Sequence, residues 1–122
     1  MALIRPELAA RLRPWREVIA AAADADLVVS TLPSHAADSL GTPVARALER
    51  RGGARAGAAA LDVVYAPWPT ELGAALSAGG VAVAPGWLML LHQAVPQVAL
   101  MTGRRPDPDP MRDALLSAIA ER

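Results

Sequence analysis

The sequence predicts an α/β fold: a partial Rossmann-like domain whose parallel sheet of about three strands is flanked by helices. Two observations carry that expectation. Short apolar runs at 26–32, 58–64 and 81–84 each lead into a loop, and the Ala-rich stretches between them end on Gly52-Gly53 and Gly79-Gly80. Strand, helix, strand, helix, strand without hairpin turns implies parallel strands joined by right-handed crossovers.

Residues 2–24 are rich in Ala and Arg and are broken at Pro6 and Pro14. Pro14 suits the first turn of a helix through Trp15, Val18, Ile19 and Ala22, whose spacing makes one apolar stripe. Arg5, Arg11, Arg13 and Arg16 are interspersed with Glu7 and Glu17 and read as a solvated helix face. The run at 26–32 is β-branched and apolar on both faces, the pattern of a buried parallel strand, before Pro33-Ser34-His35. Thr42 as N-cap with Pro43 at the first helical position predicts a helix to Arg51, stopped by Gly52-Gly53. A strand at 58–64 follows, then a loop at 65–70, a helix from about Thr70 to Ala78, and the third strand. Pro85-Gly86 turns the chain into a helix through Trp87, Met89, Leu91 and Gln93. Pro96 inside that helix costs about 3 kcal/mol unless a kink absorbs it, so an interruption with a bend near Val95 is expected. The helix should close near Thr102-Gly103. Residues 104–110 read as a rigid polar connector, and Met111, Ala114, Leu115, Ala118 and Ile119 stripe a terminal amphipathic helix.

A chain of 122 residues suits one domain, with 1–23 as a helical leader. Hydrophobic residues make up 53% but aromatics only 3%, and Phe is absent, so Ala, Leu and Val must form the core. Net charge is zero, which argues against a nucleic-acid or acidic-membrane binder. The lack of Cys excludes disulfides, a thiolate nucleophile and Cys-ligated zinc. The start of the chain carries charges where a signal peptide needs an apolar core, and no run approaches the ~20 apolar residues of a membrane span. A soluble, cytoplasmic protein is expected. His35 reads as an exposed loop residue and His92 as a packed or solvated one, and no metal-ligand spacing involves either, so no metal is inferred.

In open α/β sheets, ligands bind beyond the carboxyl ends of the strands. The three ends here are Ser30-Thr31-Leu32-Pro33, Val64-Tyr65 and Ala84-Pro85-Gly86. Tyr65 offers a hydroxyl on an aromatic plate, Gly86 admits close backbone approach, and Met89 gives a soft apolar contact. Gln93 lies four residues after Met89 on the same helix face, and its amide is expected to cap a loop or bond a buried carbonyl. A cleft for a flat, partly polar ligand is expected along this edge.

Asp62-Val63-Val64-Tyr65-Ala66-Pro67-Trp68-Pro69-Thr70, followed by Gly86-Trp87-Leu88-Met89-Leu90-Leu91-His92-Gln93-Ala94, resembles the D-x-x-Y-x-P-x-x-T and G-x-x-M-L-x-x-Q-A signatures of shikimate dehydrogenases. Thr102-Gly103-Arg104-Arg105-Pro106-Asp107 and then Met111 continue the resemblance, which covers about 24–120. It implies the C-terminal, nucleotide-binding part of an oxidoreductase that uses NADP(H) to interconvert 3-dehydroshikimate and shikimate in aromatic amino-acid biosynthesis. By the same resemblance Tyr65 sits beside substrate and nicotinamide, and Gln93 hydrogen-bonds a polar group of the substrate. Gly86 and Met89 line the nicotinamide site. Ser30, Thr31 and Leu32 occupy the strand-end loop near the cofactor, where this chain has Ser-Thr-Leu in place of the family's Asn-Ala-Thr. For Asp62, Pro67 and Thr70 the preferred role is loop shaping. NAD in place of NADP, and quinate in place of shikimate, stay open.

The resemblance also implies parts that this sequence lacks. A Gly-rich pyrophosphate turn does not precede Asp26, and the proton-transfer Lys of the family's substrate domain has no counterpart, because the chain contains no Lys. No catalytic residue is therefore assigned, and the isolated chain is expected to be inactive. A further strand should sit beside 27–32; without it the edge there is open to self-association. The rival expectation is a non-catalytic remnant or interaction module that self-associates through that edge. A third is a split enzyme whose missing substrate domain is on another chain.

Overall fold

The computed structural model describes residues 10–121; the expected break at Pro6, with Arg5 and Glu7, lies outside them. A 3-10 turn at Trp15–Glu17 runs into α1 (Val18–Asp24), followed by β1 (Leu27–Ser30), α2 (Asp38–Arg50), β2 (Ala59–Asp62), α3 (Glu71–Ala78), β3 (Ala82–Pro85), α4 (Gly86–Thr102) and α5 (Pro108–Ala120). The strands form one sheet in the order β1-β2-β3, all parallel. Ser30 stands beside Asp62, and Asp62 beside Pro85. The register therefore brings the residues that follow each strand, Thr31, Val63 and Gly86, to one edge.

Leu40, Val44 and Leu48 recur every four residues along α2 and are buried, as the inner stripe of a helix must be. They meet Leu72 and Leu76 of α3 and, through the sheet, Ala58, Ala60 and Val81. Small residues set the spacing of this core. A Cβ on Gly41 would lie 3.0 Å from the Glu71 carbonyl oxygen, so α2 and α3 approach backbone to backbone there.

The start of α2 corrects one expectation. The helix begins at Asp38, not at Thr42, and Pro43 sits inside it. Leu40 extends the buried stripe one turn towards the N-terminus, and the His35 ring hydrogen-bonds the Asp38 carboxylate at 2.9 Å. Pro43 removes only the bond to the Ser39 carbonyl, and Ser39 is exposed to water. Two further corrections have the same origin. α4 runs as one helix through Pro96, whose missing N–H would have met the carbonyl of exposed His92. α5 takes in residues 108–110, because Asp107 caps it by accepting from the Asp109 N–H at 3.0 Å and proline needs no N–H partner in a first turn.

β1 is also less enclosed than its composition suggests. Val28 and Ser30 face the α2 and α3 side, whereas Leu27 and Val29, on the other face, are 62% and 52% exposed. A parallel strand apolar on both faces needs cover on both. Among the described residues, only one face of β1 has it.

At the opposite end of the sheet, Arg51 ties the end of α2 to the end of α1. Its guanidinium donates to the Ala23 carbonyl at 2.6 Å and to the Asp24 carboxylate at 2.8 Å, and Arg55 adds a bond to Asp24 at 3.0 Å. The hydrogen bonds from Arg55 first, and then from Arg51, hold the Asp24 carboxyl below the usual carboxylate range. The Arg55 guanidinium is correspondingly raised by its bond to Asp24.

Candidate functional site

Beyond the carboxyl ends of β1 and β2 lies a cleft of about 340 Å³, lined by Thr31, Leu32, Pro33, Ser34, Val63, Val64, Tyr65 and Ala66. Its walls come from the two loops that leave neighbouring parallel strands, which is why residues over 30 positions apart converge. Thr31, Leu32 and Tyr65, singled out from the sequence, share this cleft. Ser34, Val63 and Ala66 line it as well without having been assigned a role, although they adjoin the strand-end residues in the chain.

The loop that carries Tyr65 is held by a buried carboxylate. Asp62, 4% exposed, accepts from the Val64 N–H at 3.1 Å and from the Thr70 hydroxyl at 2.8 Å. Thr70 Oγ1 in turn accepts from the Gly73 N–H at 3.0 Å and so caps α3. One aspartate thus closes the segment 62–70 onto itself. The Ala66–Pro67 and Trp68–Pro69 bonds within it are both cis.

Gly86 opens α4 directly after β3, and its N–H donates to the Val64 carbonyl at 3.3 Å. A Cβ there would run into the Val63 carbonyl and stand 2.9 Å from that of Asp62. The close approach that Gly86 allows is therefore to the chain's own β2–α3 loop, and it fixes where α4 begins relative to Tyr65. Met89 is half-buried one turn along α4, and Gln93 is exposed one turn further. The expectation that the Gln93 amide bonds a loop or buried carbonyl gives way to a solvated amide, outside the cleft that Tyr65 lines.

Ser30 sits below the cleft. It is 8% exposed, and its hydroxyl has no hydrogen-bond partner among the described residues. His35 is exposed with φ 66° and bonds Asp38; His92 is exposed on a groove between α4 and α5. Among the described residues no group of three or more His, Cys, Asp or Glu is placed to hold a metal ion, and no helix is long and apolar enough to cross a membrane.

Residues 86–116 match the family model described as the Shikimate 5'-dehydrogenase C-terminal domain. The Shikimate dehydrogenase (NADP(+)) of Acidiphilium cryptum is 42% identical over 107 residues, which are 88% of this chain and 36% of that protein. The protein of the same name from Rhodopseudomonas palustris is 41% identical over 105 residues, 85% of this chain and 36% of its own length. The crystal structure of Mycobacterium tuberculosis shikimate dehydrogenase superimposes with a TM-score of 0.59 at 35% identity, covering 84% of this chain and 34% of that one. This chain spans about a third of the length of the relatives it matches. By sequence and by fold, the chain belongs to the shikimate dehydrogenase family and corresponds to its C-terminal part.

Proposed function

We propose that the chain is the nucleotide-binding part of an NADP(H)-dependent shikimate dehydrogenase, an oxidoreductase that interconverts 3-dehydroshikimate and shikimate in the cytoplasm. In this proposal the chain is one domain, in which α1 precedes the family-like region. The observation that carries it is that Thr31, Leu32 and Tyr65 line one cleft at the carboxyl ends of two parallel strands, in a chain of this family.

The residues present fit one end of the dinucleotide. Leu32, Val63, Val64 and the Tyr65 ring offer apolar walls to a flat ring, and the Thr31 and Ser34 hydroxyls offer hydrogen bonds to sugar oxygens. The pyrophosphate end has no such fit. Gly52-Gly53 and Gly79-Gly80 follow helices and lead into the amino ends of β2 and β3, away from the cleft.

When bound, the nicotinamide supplies the hydride acceptor or donor. The chain's own residues bind and orient. Tyr65 borders both ring and substrate, Ser30, Thr31 and Leu32 shape the loop along the cofactor, and Gly86 and Met89 form the α4 side of the site. Gln93 presents its exposed amide to a polar group of the substrate. Oxidation of an alcohol also releases a proton, and with no Lys the chain holds no counterpart of the family's proton-transfer group. That group, and the rest of the substrate's contacts, belong to a separate substrate domain.

Two measurements on the purified chain test this. Titration with NADP+ monitored by amide NMR should shift the signals of Thr31, Leu32, Ser34 and Tyr65 while leaving α5 unmoved. Shikimate oxidation by NADP+ should be undetectable. Shifts confined to other surfaces, or measurable turnover, would overturn the reading.

A further inference from the structure

The loop between β1 and α2 holds a residue that its backbone does not favour. The Ala36 N–H donates to the Pro33 carbonyl at 3.0 Å, closing a turn with Ser34 and His35 at its centre. His35 has φ 66°, and among the described residues no other non-glycine has a positive φ. A positive φ at the second central position alone is the type II pattern, where glycine fits and a larger side chain is strained. Packing does not hold His35 there, because its side chain is 71% exposed. Strain of this kind gathers where a side chain meets a ligand.

The ring is nevertheless oriented. Its Nδ1 lies 2.9 Å from a carboxylate oxygen of Asp38. A carboxylate only accepts, so Nδ1 carries the hydrogen, and in the neutral ring Nε2 keeps its lone pair as an acceptor. His35 lines a recess of about 110 Å³ together with Ser34, Asp38, Thr70 and Glu71. Ser34 also lines the 340 Å³ cleft. An acceptor nitrogen thus stands one residue from a hydroxyl of the cleft.

We propose that His35, oriented by Asp38, is a binding residue whose Nε2 accepts a hydrogen bond from a ribose hydroxyl of the dinucleotide in the cleft. The inference rests on the nucleotide-binding reading and adds a residue to its site. Ribose is the part of the dinucleotide that fits, because its hydroxyls can donate to Nε2 while the Thr31 and Ser34 hydroxyls meet sugar oxygens beside it. A phosphate fits poorly. The carboxylates of Asp38 and Glu71 line the same recess and repel an anion.

Titration of the whole 122-residue chain with NADP+, followed by side-chain and amide NMR, tests this. The Nε2 resonance of His35 should shift with the same dissociation constant as the Thr31 and Ser34 amides, while that of His92, exposed on the groove between α4 and α5, stays in place. Inorganic phosphate alone should leave His35 unmoved. His35→Gly removes the ring and suits a left-handed φ better than His does. Its urea midpoint should hold or rise while its NADP+ dissociation constant grows about three- to tenfold. Asp38→Ala should weaken binding in the parent chain but add little to His35→Gly, since Asp38 acts through the ring. Unchanged affinity or a lowered urea midpoint in His35→Gly, full additivity with Asp38→Ala, or an equal His35 shift with phosphate would overturn the inference and leave the nucleotide-binding reading standing. A parent chain whose Thr31, Ser34 and Tyr65 amides ignore NADP+ would overturn both.

Discussion

Asp62 shows how one residue sets the shape of the cleft. Its two acceptor bonds, to the Val64 N–H and the Thr70 hydroxyl, fix the loop that presents Tyr65, and Thr70 relays the constraint to α3. Asp62→Ala leaves a half-buried hydroxyl and N–H to be satisfied and should lower stability by about 1–3 kcal/mol in urea unfolding. Thr70→Ala loses a cap and the same shared bond, about 1–2 kcal/mol, and the double variant should cost less than the sum. Gly86→Ala should cost about 1–3 kcal/mol, since a Cβ meets the Val63 carbonyl with no flexible side chain to yield. The Asp62, Tyr65 and Thr70 pattern was legible in the sequence because its parts are local. The Ser30 orphan was not, because what surrounds it depends on how the helices before and after β1 pack, which no local pattern shows.

At the level of elements, alternation and glycine stops were enough to read three strands and the helices between them. The ends were less legible. Around Thr42-Pro43 two signals conflict, a local cap pattern and the stripe of Leu40, Val44 and Leu48, and the stripe prevails because burial of Leu40 outweighs one lost hydrogen bond. Leu48→Ala should be correspondingly costly, about 2–5 kcal/mol by thermal or chemical unfolding. The junction of α1 with α2 predicts a pH dependence. Asp24 has a lowered pKa in the folded state, so its bonds with Arg55 and Arg51 contribute in full above the unfolded carboxylate value. That contribution is lost as pH falls through the folded value. Asp24→Asn should lower the urea midpoint at neutral pH, and the difference from the parent chain should disappear in acid.

For the molecule as a whole, β1 is covered on one face by the described residues while Leu27 and Val29 are exposed on the other, and the ends of β1 and β2 gather one cleft. Parallel order was legible because each connection between strands is long enough to hold a helix and hairpin turns are missing. The exposure of Leu27 and Val29 was not, since an apolar strand reads the same whether or not both its faces are covered. The central claim is that this chain provides the nicotinamide side of a shikimate dehydrogenase. Its most direct test is a chimera in which the chain replaces the matching C-terminal part of the Acidiphilium cryptum relative, assayed for shikimate-dependent reduction of NADP+. The account predicts turnover, with kcat/KM falling by about tenfold or more on Tyr65→Ala as positioning is lost. A chimera that folds and binds shikimate yet reduces no NADP+, or one indifferent to Tyr65→Ala, would contradict it.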